Sequence, residues 1–396
     1  MSNDLGRQAY RVVKHLSVNI GPRPACSEGE RRALHYIESE LGRVCPQVRR
    51  APVKGIPGQL PTKLLLLFVL CCLTYCVYWF VQAPQSMLIF VVASFALPKV
   101  ISAIRKRASA KAERASENVV GNQPAAGGTC GTLVLCAHLD SAKANRVPGE
   151  LWRKMHRLFV QLLMPFVLIM SGLAALRWVD MRVSFAAPIV WPATRAVGLV
   201  LSAFFLAFEL FYAYISRSDA YSPGANDNAS GVGVVLALAR HFCEHPPDHL
   251  DMRYVLFTAE ELGLVGSEAF VKATELSKED TWVINMDMVG AGKQLCHVRG
   301  SGFFPPRLTD GRLNELLKEA HPDIKRHYYL RGNSDFSSFV AKGFRAASLC
   351  TKGDPQAQVV YHTERDTIEY VDEESLQMAA DAVRRVVRLL DERIGE

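Results

Sequence analysis

Hydrophobic positions along this chain follow two different patterns. In the first half they form long uncharged runs: 35 consecutive residues without a charge lie between Lys63 and Lys99, and Leu158–Leu176 makes another 19. A membrane-crossing helix needs about 20 apolar residues, so spans are expected at roughly 64–82, 87–104, 158–176 and 196–215. The stretch 183–194, with Pro188 and Pro192, is too short to cross and reads as interfacial or loop. Elsewhere the pattern is that of a soluble domain. Residues 1–45 read as helical, with Ser27-Glu28-Gly29-Glu30 as a capping box ahead of the amphipathic Arg31–Leu41. Gln47–Lys54 and Thr132–Ala137 read as strands. From residue 221 helices and strands alternate: helix Ser230–His241, strand Arg253–Thr258, helix Leu262–Leu276, strand Trp282–Met288, then helices Leu308–Ala320, Ser334–Lys342 and Glu373–Ile394. Such alternation predicts an α/β fold, a mixed but mostly parallel sheet with helices on both faces.

Composition agrees with a membrane protein that has soluble parts: 49% of the 396 residues are hydrophobic and 21% charged. The formal charge of +7 does not point to nucleic acid, because of where it lies. Windows 49–63, 99–114 and 143–157 hold 15 Lys/Arg against two acids, beside the apolar runs, where basic residues meet anionic lipid and set orientation. No apolar stretch occurs in the first 60 residues, so no cleavable secretory signal is expected. Of ten cysteines, Cys71, Cys72 and Cys76 lie inside an apolar run and none forms a CxxC pair, which reads as reduced thiols facing a cytosol.

Five segments could carry chemistry. His138-Leu139-Asp140 ends a strand, where residues two apart share a face, so Asp140 can orient the ring of a metal-bound His138. Gly224–Gly231 (GANDNASG) presents Asp227 at a helix start, a position that an ordinary N-cap would also fill. Glu260 and Glu261 crowd two anions at a strand end, which favours separate roles: one on a metal, the other as a base. Asp287 closes another buried strand, and Tyr361–Thr367 offers His362 with Asp366 to support it. Sites in open α/β sheets collect at the carboxyl ends of strands. Two His, two Asp and one Glu there would suit a pair of zinc ions bridged by Asp227, leaving Glu260 free as general base.

These residues resemble the zinc aminopeptidases of the M28 family, the bacterial leucyl aminopeptidase type. HLDS, GANDNASG, AEELGLVGS, NMDMVG and YHTERDT stand in the family's order, and GPRPACSEGERRALHYIESEL looks like its opening helix. The resemblance covers everything except the two apolar blocks. It implies a zinc exopeptidase-like fold acting on peptides with two zinc ions, one on His138, Asp227 and Asp287, the other on Asp227, Glu261 and His362. Glu260 would be the base and Asp140 the orienting acid. Two positions depart from the pattern: Phe344 stands where some members have an oxyanion-stabilising tyrosine, and Phe336 where they often have histidine.

The implied ligands flank both apolar blocks, so each block must leave and return on one side of a bilayer, which requires an even number of spans. The expected organisation is a peptidase domain in pieces 1–62, 106–156 and 218–396, interrupted by transmembrane hairpins at 63–105 and 157–217. The basic windows share the side of the catalytic pieces, which puts that domain in the cytosol. In a bacterium this would be a multi-pass inner-membrane protein. Two alternatives to an aminopeptidase remain open at this point: a zinc amidase for N-acylated or lipid-linked amino acids, and a non-catalytic scaffold that keeps the metal site.

Overall fold

The computed structural model describes residues 4–57, 112–147, 149–184, 218–302, 306–329 and 332–395, with scattered positions between 191 and 214. The chain divides into two compact units, one of residues 1–56, 113–144 and 219–396, the other of 57–112 and 145–218.

The first unit is built on a sheet whose strands, among the described residues, are β1 (Gln47–Lys54), β2 (Ala115–Gln123), β3 (Gly131–His138), β4 (Leu250–Phe257), β5 (Thr281–Met286), β6 (Gln294–Ser301), β7 (Arg307–Leu308), β8 (Lys325–Tyr329) and β9 (Arg345–Lys352). They lie in the order β1-β2-β4-β3-β5-β9-β6-β7, with β8 beside β6. The four central strands β4, β3, β5 and β9 run parallel, and antiparallel strands flank them on both sides. Side chains along β3 alternate strictly. Leu133, Leu135 and Ala137 face one core with α1 (Leu5–Lys14), α2 (Glu28–Gly42), α4 (Ser230–Glu244), α6 (Gly311–Ala320) and α9 (Glu373–Gly395). Val134 and Cys136 face the other, with Phe270 of α5 (Val265–Ala273) and Phe336 and Phe339 of α7 (Phe336–Val340). Burial on both faces explains why the parallel strands read as continuous apolar runs. A short α8 (Pro355–Val360) precedes His362.

The expected α/β class with helices on both faces is what forms, but the sheet is not mostly parallel: among the described strands four pairings are parallel and four antiparallel, because the strands flanking the central four mostly pair antiparallel. The remaining differences are local. Strands β2, β6, β8 and β9 were not expected, because β2 and β8 are polar and β6 and β9 lack simple alternation. The helix expected from Leu262 starts only at Val265, since Ala259 and Leu264 adopt positive φ (53° and 66°) and residues 259–264 form a turn instead. Ser27 caps α2 as expected, accepting from the Glu30 N–H at 3.1 Å. The Glu30 carboxylate does not complete the box but accepts from the Cys26 N–H (2.6 Å), Ser116 Oγ (2.6 Å) and Thr258 Oγ1.

In the second unit, α3 (Gly149–Val183) is one helix of 35 residues with Pro165 inside it. Among the described residues no helix is long and apolar enough to cross a membrane. The expected transmembrane hairpins are therefore not established as such. The first block, 63–105, and most of 196–215 lie outside the described residues. The stretch 158–176 is not a separate span but the middle of α3, continuous with charged residues at both ends. Near the C-terminal end of α3, Arg177 and Trp191 both donate to the buried Asp180, and Arg182 lies 3.8 Å from the centre of the Trp178 ring.

Candidate metal centre

The parallel register delivers four of the expected residues to one end of the strands. His138 closes β3 directly opposite Phe257, the last residue of β4, and Cys136 is level with Asn285 in β5. The turn carrying Glu260 and Glu261, and Asp287 beyond β5, therefore emerge on either side of His138. Asp227 arrives from the irregular turn Ala225–Ala229 before α4. Gly224 begins that turn at φ +60°, where a Cβ would sit 2.5 Å from the Asp227 carbonyl oxygen and 2.8 Å from Ser141 Cβ, so only glycine fits. The Asp227–Asn228 peptide is cis.

Asp227 stands at the centre. Its Oδ1 lies 3.3 Å from His138 Nε2, and its Oδ2 lies 3.0 Å from His362 Nε2. Asp287 Oδ1 is 3.9 Å from His138 Nε2, and Glu261 Oε1 is 3.4 Å from His362 Nε2. Two groups result, His138–Asp227–Asp287 and Asp227–Glu261–His362, each able to bring one ligand atom per residue within 4.8 Å of the others. These are the two sets that the family resemblance implied, with Asp227 common to both.

The electrostatics of this cluster are those of a place built for positive charge. Burial opposes the charged form of His138, yet Glu260, Asp140, Asp227 and Asp287 outweigh it and hold its pKa well above the usual value. His362 is raised in the same way, against burial, by Glu261 and Asp227. Burial raises Asp227, but the two imidazoles reverse that and leave it below the ordinary carboxylate range. Glu260 and Glu261 are both raised, chiefly by burial. Glu261 Oε1 is buried and takes part in no hydrogen bond. Its nearest partner, His362 Nε2 at 3.4 Å, makes an ion pair without hydrogen-bond geometry, and a cation between Glu261, Asp227 and His362 would satisfy the oxygen more fully. Imidazole nitrogens and carboxylate oxygens are zinc donors, so the residues present fit zinc.

Asp140 is placed differently from the expectation. The His138 Nδ1 contact at 3.1 Å is to the Asp140 main-chain carbonyl, with the carboxylate at 3.6 Å. The carboxylate itself accepts from the Glu260 N–H (3.0 Å) and the Glu261 N–H (3.2 Å), so it shapes the turn that carries both glutamates. Asp366 likewise does not hydrogen-bond His362; it accepts from the Asn226 and Asp227 N–H groups at 2.9 and 3.0 Å. Arg23 was missed altogether. Fully buried, it donates to the carbonyls of Leu139, Leu16, Gly21, Pro223 and Gly224 and so ties the His138–Asp140 segment to the Asp227 loop. Its position in GPRP was the only signal in the sequence. Phe336 and Phe344, the two departures from the family pattern, are buried in the apolar core behind the sheet.

The model of peptidase family M28 matches residues 212–387. The chain is 34% identical over 179 residues to aminopeptidase YwaD of Bacillus subtilis, covering 42% of this chain and 38% of that one. It is 30% identical over 183 residues to the vacuolar membrane protease of Schizosaccharomyces japonicus, covering 43% of this chain and 20% of the other. It thus spans well under half the length of either curated relative. Among solved structures, a zinc aminopeptidase from Bacillus subtilis, BSAP, superposes with a TM-score of 0.55 at 18% identity, covering 96% of this chain and 94% of that one, which shows a shared fold. The match to the model of peptidase family M28 takes in less than half of the chain, and the relatives that the chain resembles over that stretch are an aminopeptidase and a membrane protease.

Proposed function

We propose that this chain is a zinc-dependent aminopeptidase that removes N-terminal residues from peptides. The observation that supports it most is the convergence of His138, Asp227, Glu261, Asp287 and His362 from five separate segments into two ligand sets sharing one aspartate. In this reading His138 and Asp287 hold one zinc ion, Glu261 and His362 the other, and Asp227 bridges. When bound, zinc supplies Lewis-acid polarisation of the scissile carbonyl and of the attacking water. The chain's own part is proton movement and positioning. Glu260 takes the proton from the water as its oxygen joins the acyl carbon, then delivers it to the departing amine. Burial, which raises the Glu260 pKa, suits a carboxyl that must carry a proton between these two events. Asp140 keeps the Glu260–Glu261 turn in place through its two N–H contacts.

The second unit we propose as a membrane anchor, with the peptidase unit on the cytosolic face of a bacterial inner membrane. Fifteen Lys/Arg against two acids in the flanking windows support that orientation. Leu168, Ile169 and Val183 of α3 are 67, 54 and 68% exposed, an apolar surface that favours lipid over water.

The test is amine release from matched peptides, free and N-acetylated, by detergent-purified protein beside Glu260→Gln. Cleavage of only the free peptides, reduced about 100-fold or more in the variant with zinc retained, is the expected result. Cleavage of the acetylated peptides would instead favour an amidase, and no turnover by zinc-loaded protein would favour a scaffold. For the anchor, resistance to alkaline carbonate extraction is expected; release into the supernatant would refute it.

A further inference from the structure

We infer that the Asn226–Asn228 loop is a two-sided clamp that positions the shared ligand Asp227, with Asn228 and Asn226 indexing it to the Asp287 side and Asp366 indexing it to the His362 side. The inference rests on the two-zinc reading above and assigns work to residues that reading leaves unused.

On one side, the Asn228 side chain straddles the end of β5. Its Nδ2 donates to the Met286 carbonyl at 2.9 Å, and its Oδ1 accepts from the Met288 N–H at 3.2 Å and the Gly231 N–H at 3.0 Å. Asp287 lies between Met286 and Met288, so one amide grips the main chain on both sides of that ligand. Asn226 adds a second grip, its Oδ1 accepting from the Gly290 N–H at 3.1 Å. Gly231 must be glycine for this to work, since a Cβ there would stand 2.6 Å from Asn228 Oδ1.

On the other side, Asp366 binds the same loop through three contacts. Its two carboxylate oxygens accept from the Asn226 and Asp227 N–H groups, and its carbonyl accepts from the Ala225 N–H at 3.1 Å. A turn carries this grip to His362: the Thr363 N–H bonds the Val360 carbonyl, and the Asp366 N–H bonds the Thr363 carbonyl. Asn226, Asn228 and Asp366 are 4, 0 and 1% exposed, so water does not compete for these bonds. All three are positioning residues; none is itself among the five ligands. Because the two grips are on different residues, cutting one should loosen one ligand set and spare the other.

The experiment uses the full chain in detergent, stripped of metal and titrated with Co2+, whose visible spectrum reports each site. Bound metal is counted by elemental analysis, and unfolding of the metal-free proteins serves as the structural control. His362→Ala and His138→Ala provide reference spectra with one ligand set broken. Asp366→Asn is expected to retain one Co2+ with a spectrum like that of His362→Ala, and to weaken the second about 10–100-fold. Asn228→Ala is expected to do the reverse and resemble His138→Ala. If Asn228→Ala does not fold, Asn226→Ala, which removes only the Gly290 contact, tests the same side. Variants that weaken both sites alike, or leave both unchanged, would overturn the clamp. A wild-type protein that binds fewer than two Co2+ would overturn the two-metal reading itself, and the clamp with it.

Discussion

Replacing Arg23 by methionine isolates the contribution of a residue that touches no proposed ligand. Methionine keeps an unbranched apolar stem but removes every guanidinium donor. Of the five main-chain carbonyls that the guanidinium serves, those of Leu16 and Gly224 keep a backbone donor (the Gly21 and Ala229 N–H groups), while those of Gly21, Leu139 and Pro223 lose their partner. At about 2 kcal/mol each, the middle of the range for a buried unsatisfied group, the loss is about 6 kcal/mol, and less where water can enter. Against this, the guanidinium no longer has to be buried. Burial pulls its pKa down from 12.5 to about 10, a cost of about 3 kcal/mol. The net expectation is destabilisation of about 3 kcal/mol, the low end of the range for removing one partner from a buried charged network. For a unit of this size that is a fall of roughly 6–12 °C in the unfolding temperature. The Leu139 and Gly224 contacts also hold the segments that carry His138 and Asp227, so zinc affinity should fall in parallel. Arg23→Lys, with three donors for five acceptors, should recover only part of both. Thermal unfolding of metal-free protein together with zinc titration measures the two effects. An unfolding temperature within 2 °C of wild type (about 1 kcal/mol or less) with unchanged zinc affinity would refute this account of Arg23.

Three further outcomes are expected. Burial pushes the Glu30 carboxyl up to about 7, from an ordinary 4.5; the folded protein therefore keeps a proton that the unfolded chain has lost, and stability declines as pH rises through that window, by up to about 3 kcal/mol. Glu30→Gln, which has no proton to lose, should flatten that slope in unfolding temperatures taken at pH 5 and pH 8, and an unchanged slope would show that Glu30 is not its source. Chelating bound zinc should lower the unfolding temperature, by the equivalent of about 4 kcal/mol where free zinc had stood a thousandfold above its dissociation constant, with recovery on readdition; no change would argue against a metal held by His138, Asp227, Glu261, Asp287 and His362. Glu260→Gln should leave that zinc-dependent shift intact, because Glu260 belongs to neither ligand set, and loss of the shift would place it among the ligands.

Much of the fold and of the candidate site was legible in the residues, and for a physical reason. Strands buried on both faces must be apolar throughout, so Thr132–Ala137 and Trp282–Met288 announce themselves. A polar or acidic residue directly after such a run, as with His138, Glu260 and Asp287, has few uses other than chemistry. The edge strand β1 was legible, but β2, β6, β8 and β9 were not, because they take their place from pairing partners and not from their own pattern. Nor were the roles of Arg23, Asp140 and Asp366. Each acts through hydrogen bonds to main chain: Arg23 to Gly224 over 201 positions, Asp140 to Glu260 over 120, and Asp366 to Asn226 over 140. Such bonds leave no local signature, since a carbonyl or an N–H is the same at every residue. Local chemistry thus singled out candidate side chains for binding metal and moving a proton. Only the tertiary structure decided which of those candidates come together, and that Asp140 and Asp366 hold the loops that carry them, because such main-chain contacts join segments far apart in the chain.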